Sequence, residues 1–163
     1  MSRLVQHVLI GFAIAAAVAT AVPAADPPAP RITERQVRDL VEKATRAANA
    51  RDVPAIMQTL ALDAKVVLDF RGPGGKRQRM RMNRDQYEVH AREGLRQMDK
   101  YAYKREKVDI AIAPDGQSAT VKSFIREVAE YRGSTVVAAI DETTTLGLRE
   151  GRLLVTAVHG VMR

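Results

Sequence analysis

Two side chains in the C-terminal third of the sequence have the types and spacing for acid–base work. Glu142 and His159 flank the dipeptide Glu150-Gly151, a tight-turn signal between two apolar-rich segments. With Glu150 and Gly151 as the turn residues, Leu148 faces Leu153, Leu146 faces Val155, and Glu142 faces His159. Directly opposed side chains sit about 4.5–5.5 Å apart at Cβ, close enough for a carboxylate and an imidazole to share a hydrogen bond. Such a pair can move a proton or orient a ligand. It can equally tie two strands together at a wet rim. The same counting from Arg132-Gly133 sets Ser123 opposite Glu142, with Thr144 and Glu127 nearby. A Ser–His–acid hydrolase fits poorly, because that chemistry needs the imidazole between hydroxyl and carboxylate, and here Glu142 stands in the middle.

Tyr87 and His90 fall on one face of a predicted helix and could point toward the same region; a partly buried histidine is the blander reading of His90. Among the three histidines, His7, His90 and His159, no spacing suits a metal ion, and no cofactor motif is present. The sequence has no cysteine, so disulfides, a thiolate nucleophile and a Cys-ligated metal are excluded. The net charge of +7 is moderate, and the aromatic-interleaved basic surface of a single-strand binder is missing. Nucleic acid is therefore not an expected partner. Arg71, Lys76, Arg77, Arg79, Arg81 and Arg84 surround a Gly-rich turn that lacks the Lys-Ser/Thr ending of a phosphate loop. The cluster reads as a solvated hairpin or as a contact for an anionic surface.

The elements that must position these residues follow from periodicity and turn signals. Residues 1–24 read as a signal peptide: one charge at Arg3, an apolar run from Val8 to Val22, and small residues before a cut after Ala24. The run is shorter than the roughly 20 residues of a membrane span. A periplasmic or secreted protein beginning at or next to Ala25 is expected. N-terminal sequencing of the exported form checks this; a start at Met1 with the protein held in a membrane would mean an anchor instead. Residues 25–32 are expected to form a disordered Pro-rich spacer. Residues 33–163 then make one domain of ordinary size.

Thr33 and Gln36 have capping-box spacing and open a helix with Val37, Leu40, Val41, Ala44 and Ala48 on one stripe. Asp52 caps a short second helix. Ala64–Phe70 is a strand, 76–82 its hairpin partner, and Asn83 caps a third helix reaching about Lys100. Four strands follow, near 104–113, 118–131, 134–148 and 152–163, separated by Asp115-Gly116, Arg132-Gly133 and Glu150-Gly151. The three turns place one apolar set on one face: Val108, Ile110, Ile112, Val121, Ile125, Val136, Ile140, Leu146, Leu148, Leu153, Val155 and Val161. The other face carries Phe124, Val128, Val137, Ala139, Leu154, Val158 and Met162, interrupted by charges.

This order resembles the nuclear transport factor 2-like superfamily, including its SnoaL-like proteins. The segment Arg46-Ala47-Ala48-Asn49-Ala50-Arg51-Asp52, leading into Ile56 and Leu60, is similar to the first helical hairpin of that family. The ending from Glu150-Gly151-Arg152-Leu153-Leu154-Val155 to His159 is similar to its closing strand, with Leu153 where many relatives have Trp. The resemblance implies an α+β cone: a curved, mainly antiparallel sheet, made of the four-strand meander plus the N-terminal hairpin, wrapped around three helices. It also implies a homodimer through the outer sheet face. Function varies widely within that superfamily. The expectation is an exported module whose apolar cone binds a small apolar or amphipathic molecule, with Glu142, His159, Ser123, Thr144, Tyr87 and His90 as ligand-facing candidates. The alternatives are an isomerase-, dehydratase- or cyclase-type enzyme using Glu142 and His159 as its catalytic candidates, and a non-catalytic assembly subunit.

Overall fold

The computed structural model of the protein describes residues 30–163. The signal-peptide reading, and residues 25–29 of the spacer, lie outside the described residues. The end of the spacer departs from expectation. Ile32 is buried, its N–H donates to Gly116 O at 2.8 Å, and Arg31 Nη2 donates to Pro114 O at 2.5 Å. Residues 30–32 thus dock onto a strand turn instead of trailing in solvent.

Helix α1 (Glu34–Asn49) begins as the sequence predicts: Thr33 N donates to Gln36 Oε1 at 2.9 Å while Thr33 Oγ1 accepts from Gln36 N at 3.4 Å. Reciprocal bonds of this kind satisfy backbone donors that the first turn leaves free. Helix α2 (Val53–Met57) is capped by Asp52, which accepts from Ala55 N at 3.0 Å. Strands β1 (Leu60–Arg71) and β2 (Arg77–Asn83) form the first hairpin, and α3 (Arg84–Arg96) is capped by an Asn83–Gln86 box. The meander is β3 (Lys100–Ile112), β4 (Ser118–Tyr131), β5 (Ser134–Arg149) and β6 (Arg152–Met162).

The six strands form one curved sheet in the order β2-β1-β6-β5-β4-β3. All neighbours are antiparallel except β1 and β6, which run parallel. Arg132, Gly133, Glu150 and Gly151 all have positive φ, the left-handed backbone that two-residue hairpin turns require. Both turns therefore give the expected register: Ile125 opposes Ile140, Ser123 opposes Glu142, and Leu148 opposes Leu153. Val37, Val121, Ile125 and Leu146 are essentially without solvent contact; Val37, Val66, Val121, Leu146 and Val155 belong to the core that seals α1 and α2 against the concave face.

Two bulges change what the turns alone imply. In β6 the register slips by one residue beyond Leu146, so that Thr143, not Glu142, opposes His159, and Glu142 opposes Gly160. Side chains alternate faces along a strand, so one inserted residue moves everything after it to the other face. The expected Glu142–His159 opposition is thereby overturned. Val161, paired with Asp141, lies outside, not inside as expected, while Val158 and Met162 line the cavity and leave the outer apolar set. In β3, Lys107 has positive φ and the register shifts between Glu106 and Asp109. Before that bulge the inward residues are Tyr101, Tyr103 and Arg105. The third helix is also shorter than expected and β3 begins earlier, at Lys100 opposite Glu130.

Candidate functional site

The concave face and the helices enclose a cavity of about 310 Å³. Its wall is mostly aliphatic, from Leu40 and Val41 on α1 to Ile125, Ile140 and Leu146 on the sheet. Helix α3 supplies Tyr87, His90, Ala91, Gly94 and Leu95, whose spacing of three and four keeps one helical face on the cavity. Binding cavities of this kind are apolar surfaces with a few placed polar groups. Here, apart from Thr59 and His90, the polar groups fall into two sets.

The first set is centred on Arg105, a residue not singled out from the sequence. Its Nη1 donates to Ser123 Oγ at 2.9 Å and to Glu142 Oε1 at 2.7 Å, and its Nη2 donates to Tyr103 Oη at 2.7 Å. Thr144 Oγ1 donates to the same Glu142 oxygen at 2.7 Å. Arg105 and Glu142 side chains are only 10% and 14% exposed, so this is a largely desolvated ion pair. Burial works against the Arg105 charge, and the Glu142 carboxylate and Tyr103 outweigh it, holding the guanidinium above its ordinary pKa. Arg105 Nε is buried without a partner. Ser123, Glu142 and Thr144 are thus brought together, as a braced salt-bridge cluster. Glu142 Oε1 already accepts two donated bonds, from Arg105 and Thr144.

The second set is Glu127 with the tyrosines. Tyr101 Oη donates to Glu127 Oε1 at 2.9 Å, and Tyr103 is the direct cross-strand neighbour of Glu127. Burial raises the Glu127 pKa; the bond from Tyr101 opposes this and the Glu142 charge adds to it. Burial also pushes Tyr87 up to about 12, helped by the charges of Glu142 and Glu127. Tyr101 lies well above the ordinary tyrosine range, first through burial and then through Glu127. Burial raises Tyr103 as well, so all three phenols stay protonated at neutral pH. The period-two pattern Tyr101-Ala102-Tyr103-Lys104-Arg105 carried the signal for this wall. It was hidden by the bulge at Lys107, which reverses the alternation read back from Val108.

His159 stands apart, on the outer face of the sheet. Its Nε2 lies 2.8 Å from Asp69 Oδ2, and Arg79 grips the same carboxylate through Nε at 2.6 Å and Nη2 at 2.7 Å. These bonds, Arg79 first and His159 second, hold the Asp69 carboxyl far below the usual carboxylate range. A depressed pKa contributes stability above the unfolded value, about 3.9, that is lost as pH falls toward the folded value. Asp69→Asn is therefore expected to lower the thermal midpoint at neutral pH, and the deficit should shrink steadily below about pH 3.9. A deficit that is constant with pH would rule out this ionic origin. His90 reaches the cavity wall but is largely exposed.

Of the basic cluster, Arg71, Lys76, Arg77, Arg79 and Arg81 are exposed on the first hairpin. Arg84 is not part of that surface: its Nη2 turns inward to Met57 O at 3.1 Å. Among the described residues, no three His, Asp or Glu side chains gather as a metal-ligand set.

No protein-family model matches the chain. No curated protein matches it either. Solved structures do. An NTF2-like protein of unknown function from Pseudomonas putida KT2440 aligns with a TM-score of 0.64 at 16% identity, covering 78% of this chain and 84% of that one. An NTF2-like protein from Cytophaga hutchinsonii aligns at 0.62 and 18% identity, covering 81% of this chain and 100% of that one. A hexachlorocyclohexane dehydrochlorinase, LinA-type3, from Novosphingobium barchaimii aligns at 0.63 and 9% identity, covering 79% and 85%. At such identities the likeness speaks for architecture, and function must be argued from the site. With its curved, unclosed six-strand sheet around three helices, this chain has the NTF2-like cone fold.

Proposed function

We propose that the cone is an exported binding site for a small amphipathic molecule. The observation that carries this reading is the cavity itself: space of about 310 Å³ behind an aliphatic wall, with most of its polar groups gathered in the Arg105 and Glu127 sets. A purely structural domain would gain by filling that space, since interiors are normally close-packed. A calorimetric titration with octanol, an apolar chain with one polar end, tests the reading. Saturable binding at one site per chain is expected. No heat and no competition with other alkyl chains would overturn it.

An acid–base enzyme is the second reading, favoured by a different residue from those expected. Glu142 is held by two donors and His159 faces outward, so the remaining candidate is Glu127, a half-buried carboxyl whose pKa burial raises, beside a phenol donor. We also propose that two copies associate through the outer face, where Phe124, Val128, Ala139 and exposed Val137 lie among charges. Phe124→Asp should split such a dimer. A one-subunit mass for the unaltered protein in light scattering at micromolar concentration would remove that proposal.

A further inference from the structure

We infer that the polar end of the ligand is a cationic nitrogen, a protonated amine or quaternary ammonium, held by Glu127 among Tyr87, Tyr101 and Tyr103. This rests on the binding reading above and adds the chemical class.

The inference comes from the charges that face the cavity. Arg105 and Glu142 neutralise each other at 2.7 Å. From α3 come Tyr87 and His90, from β3 Tyr101, Tyr103 and Arg105, from β4 Glu127 and from β5 Glu142. Once the Arg105–Glu142 pair is set aside, Glu127 is the carboxylate left over. It makes no ion pair among the described residues, and its one side-chain hydrogen bond is from the Tyr101 hydroxyl. Arg105 is committed to Ser123, Tyr103 and Glu142 and does not reach it. Glu127 is half-buried; a carboxylate partly withdrawn from water without a counter-charge is costly, and a bound cation would offset that cost.

The surroundings fit the same ligand class. Aromatic faces attract organic cations within about 6 Å of the ring, and desolvation strengthens the attraction. Tyr103 already shows this behaviour toward an internal cation, with the Arg105 guanidinium 5.6 Å from its ring centre. Tyr101 and Tyr103 flank Glu127 along β3, and Tyr87 approaches from the helix side. An anionic end would meet the Glu127 charge and a guanidinium whose own charge is already matched by Glu142 at 2.7 Å. A neutral hydroxyl would leave the Glu127 charge uncompensated. The alkyl or ring portion would lie against Leu95, Ile125 and Ile140.

The test compares three probes of one chain length on the unaltered protein: octylamine, octanol and octanoate. Near neutral pH, octylamine is expected to bind at least about tenfold more tightly than octanol, the scale of one charge-assisted hydrogen bond. Octanoate should be weakest. Amine affinity should fall as pH drops through the raised Glu127 pKa, since the protonated carboxyl no longer attracts a cation. Glu127→Gln, with its fold checked by circular dichroism, should collapse the amine-over-alcohol preference to within about threefold. Equal binding of all three probes, or tighter octanoate, would overturn the ammonium inference and leave the binding reading standing. Binding of none would overturn both.

Discussion

Replacing Arg105 with methionine is expected to lower folding stability by roughly 3–5 kcal/mol, the usual cost of breaking a buried ion pair from one side. The loss has two sources. Glu142 keeps its desolvated position but loses the guanidinium at 2.7 Å, and Ser123 and Tyr103 lose a partner. Thr144 alone remains on the Glu142 oxygen. The damage should come mainly from the stranded carboxylate. Arg105→Met combined with Glu142→Leu is therefore expected to recover most of it, because an apolar pair of similar volume avoids the desolvation cost altogether. Urea unfolding of the two variants measures both quantities. A single-variant loss below about 1 kcal/mol, the range of exposed pairs, would mean that the pair is hydrated in solution.

The second large effect is on binding with the fold intact. Gly94 lies on the cavity face of α3, and a Cβ built there meets nothing within 4 Å. Gly94→Leu would place a branched side chain in the open space. Glycine within a helix costs about 1 kcal/mol relative to good helix formers, so the variant should be as stable as the parent or more so. Its octanol affinity is expected to fall by more than about tenfold, because the added carbons occupy the ligand's volume. This pairing of unchanged or higher thermal midpoint with lost binding separates a blocked site from a damaged fold. Undiminished octanol affinity in Gly94→Leu would place the alcohol somewhere other than the cone.

Local rules made most of the architecture legible. Capping at Thr33, Asp52 and Asn83 is backbone chemistry within three residues, and all three caps form as the sequence implies. Turn dipeptides fixed the register near each hairpin, as Leu148 opposite Leu153 and Ser123 opposite Glu142 show. What the sequence concealed was the pair of bulges. Neither Lys107 nor the stretch around Thr156 contains glycine or proline to mark an inserted residue. Each bulge reversed the faces of all residues beyond it. In β6 that carried His159 out to Asp69, and in β3 it carried Tyr101, Tyr103 and Arg105 in. Ser123, Glu142 and Thr144 stand on β4 and β5, which pair without a register shift, so their inward placement followed from counting. Their partner Arg105 did not, because it stands on the far side of Lys107. The parallel pairing of β1 with β6 joins segments about ninety residues apart, beyond the reach of any local signal.

Methyl-resolved NMR of the protein with bound octanol tests the central claim most directly. The account predicts intermolecular NOEs from the octanol chain to the methyl groups of Ile125, Ile140 and Leu146, which line the concave cavity. Contacts confined to Val137 and Val161, which are exposed on other parts of the sheet, would contradict a binding site inside the cone.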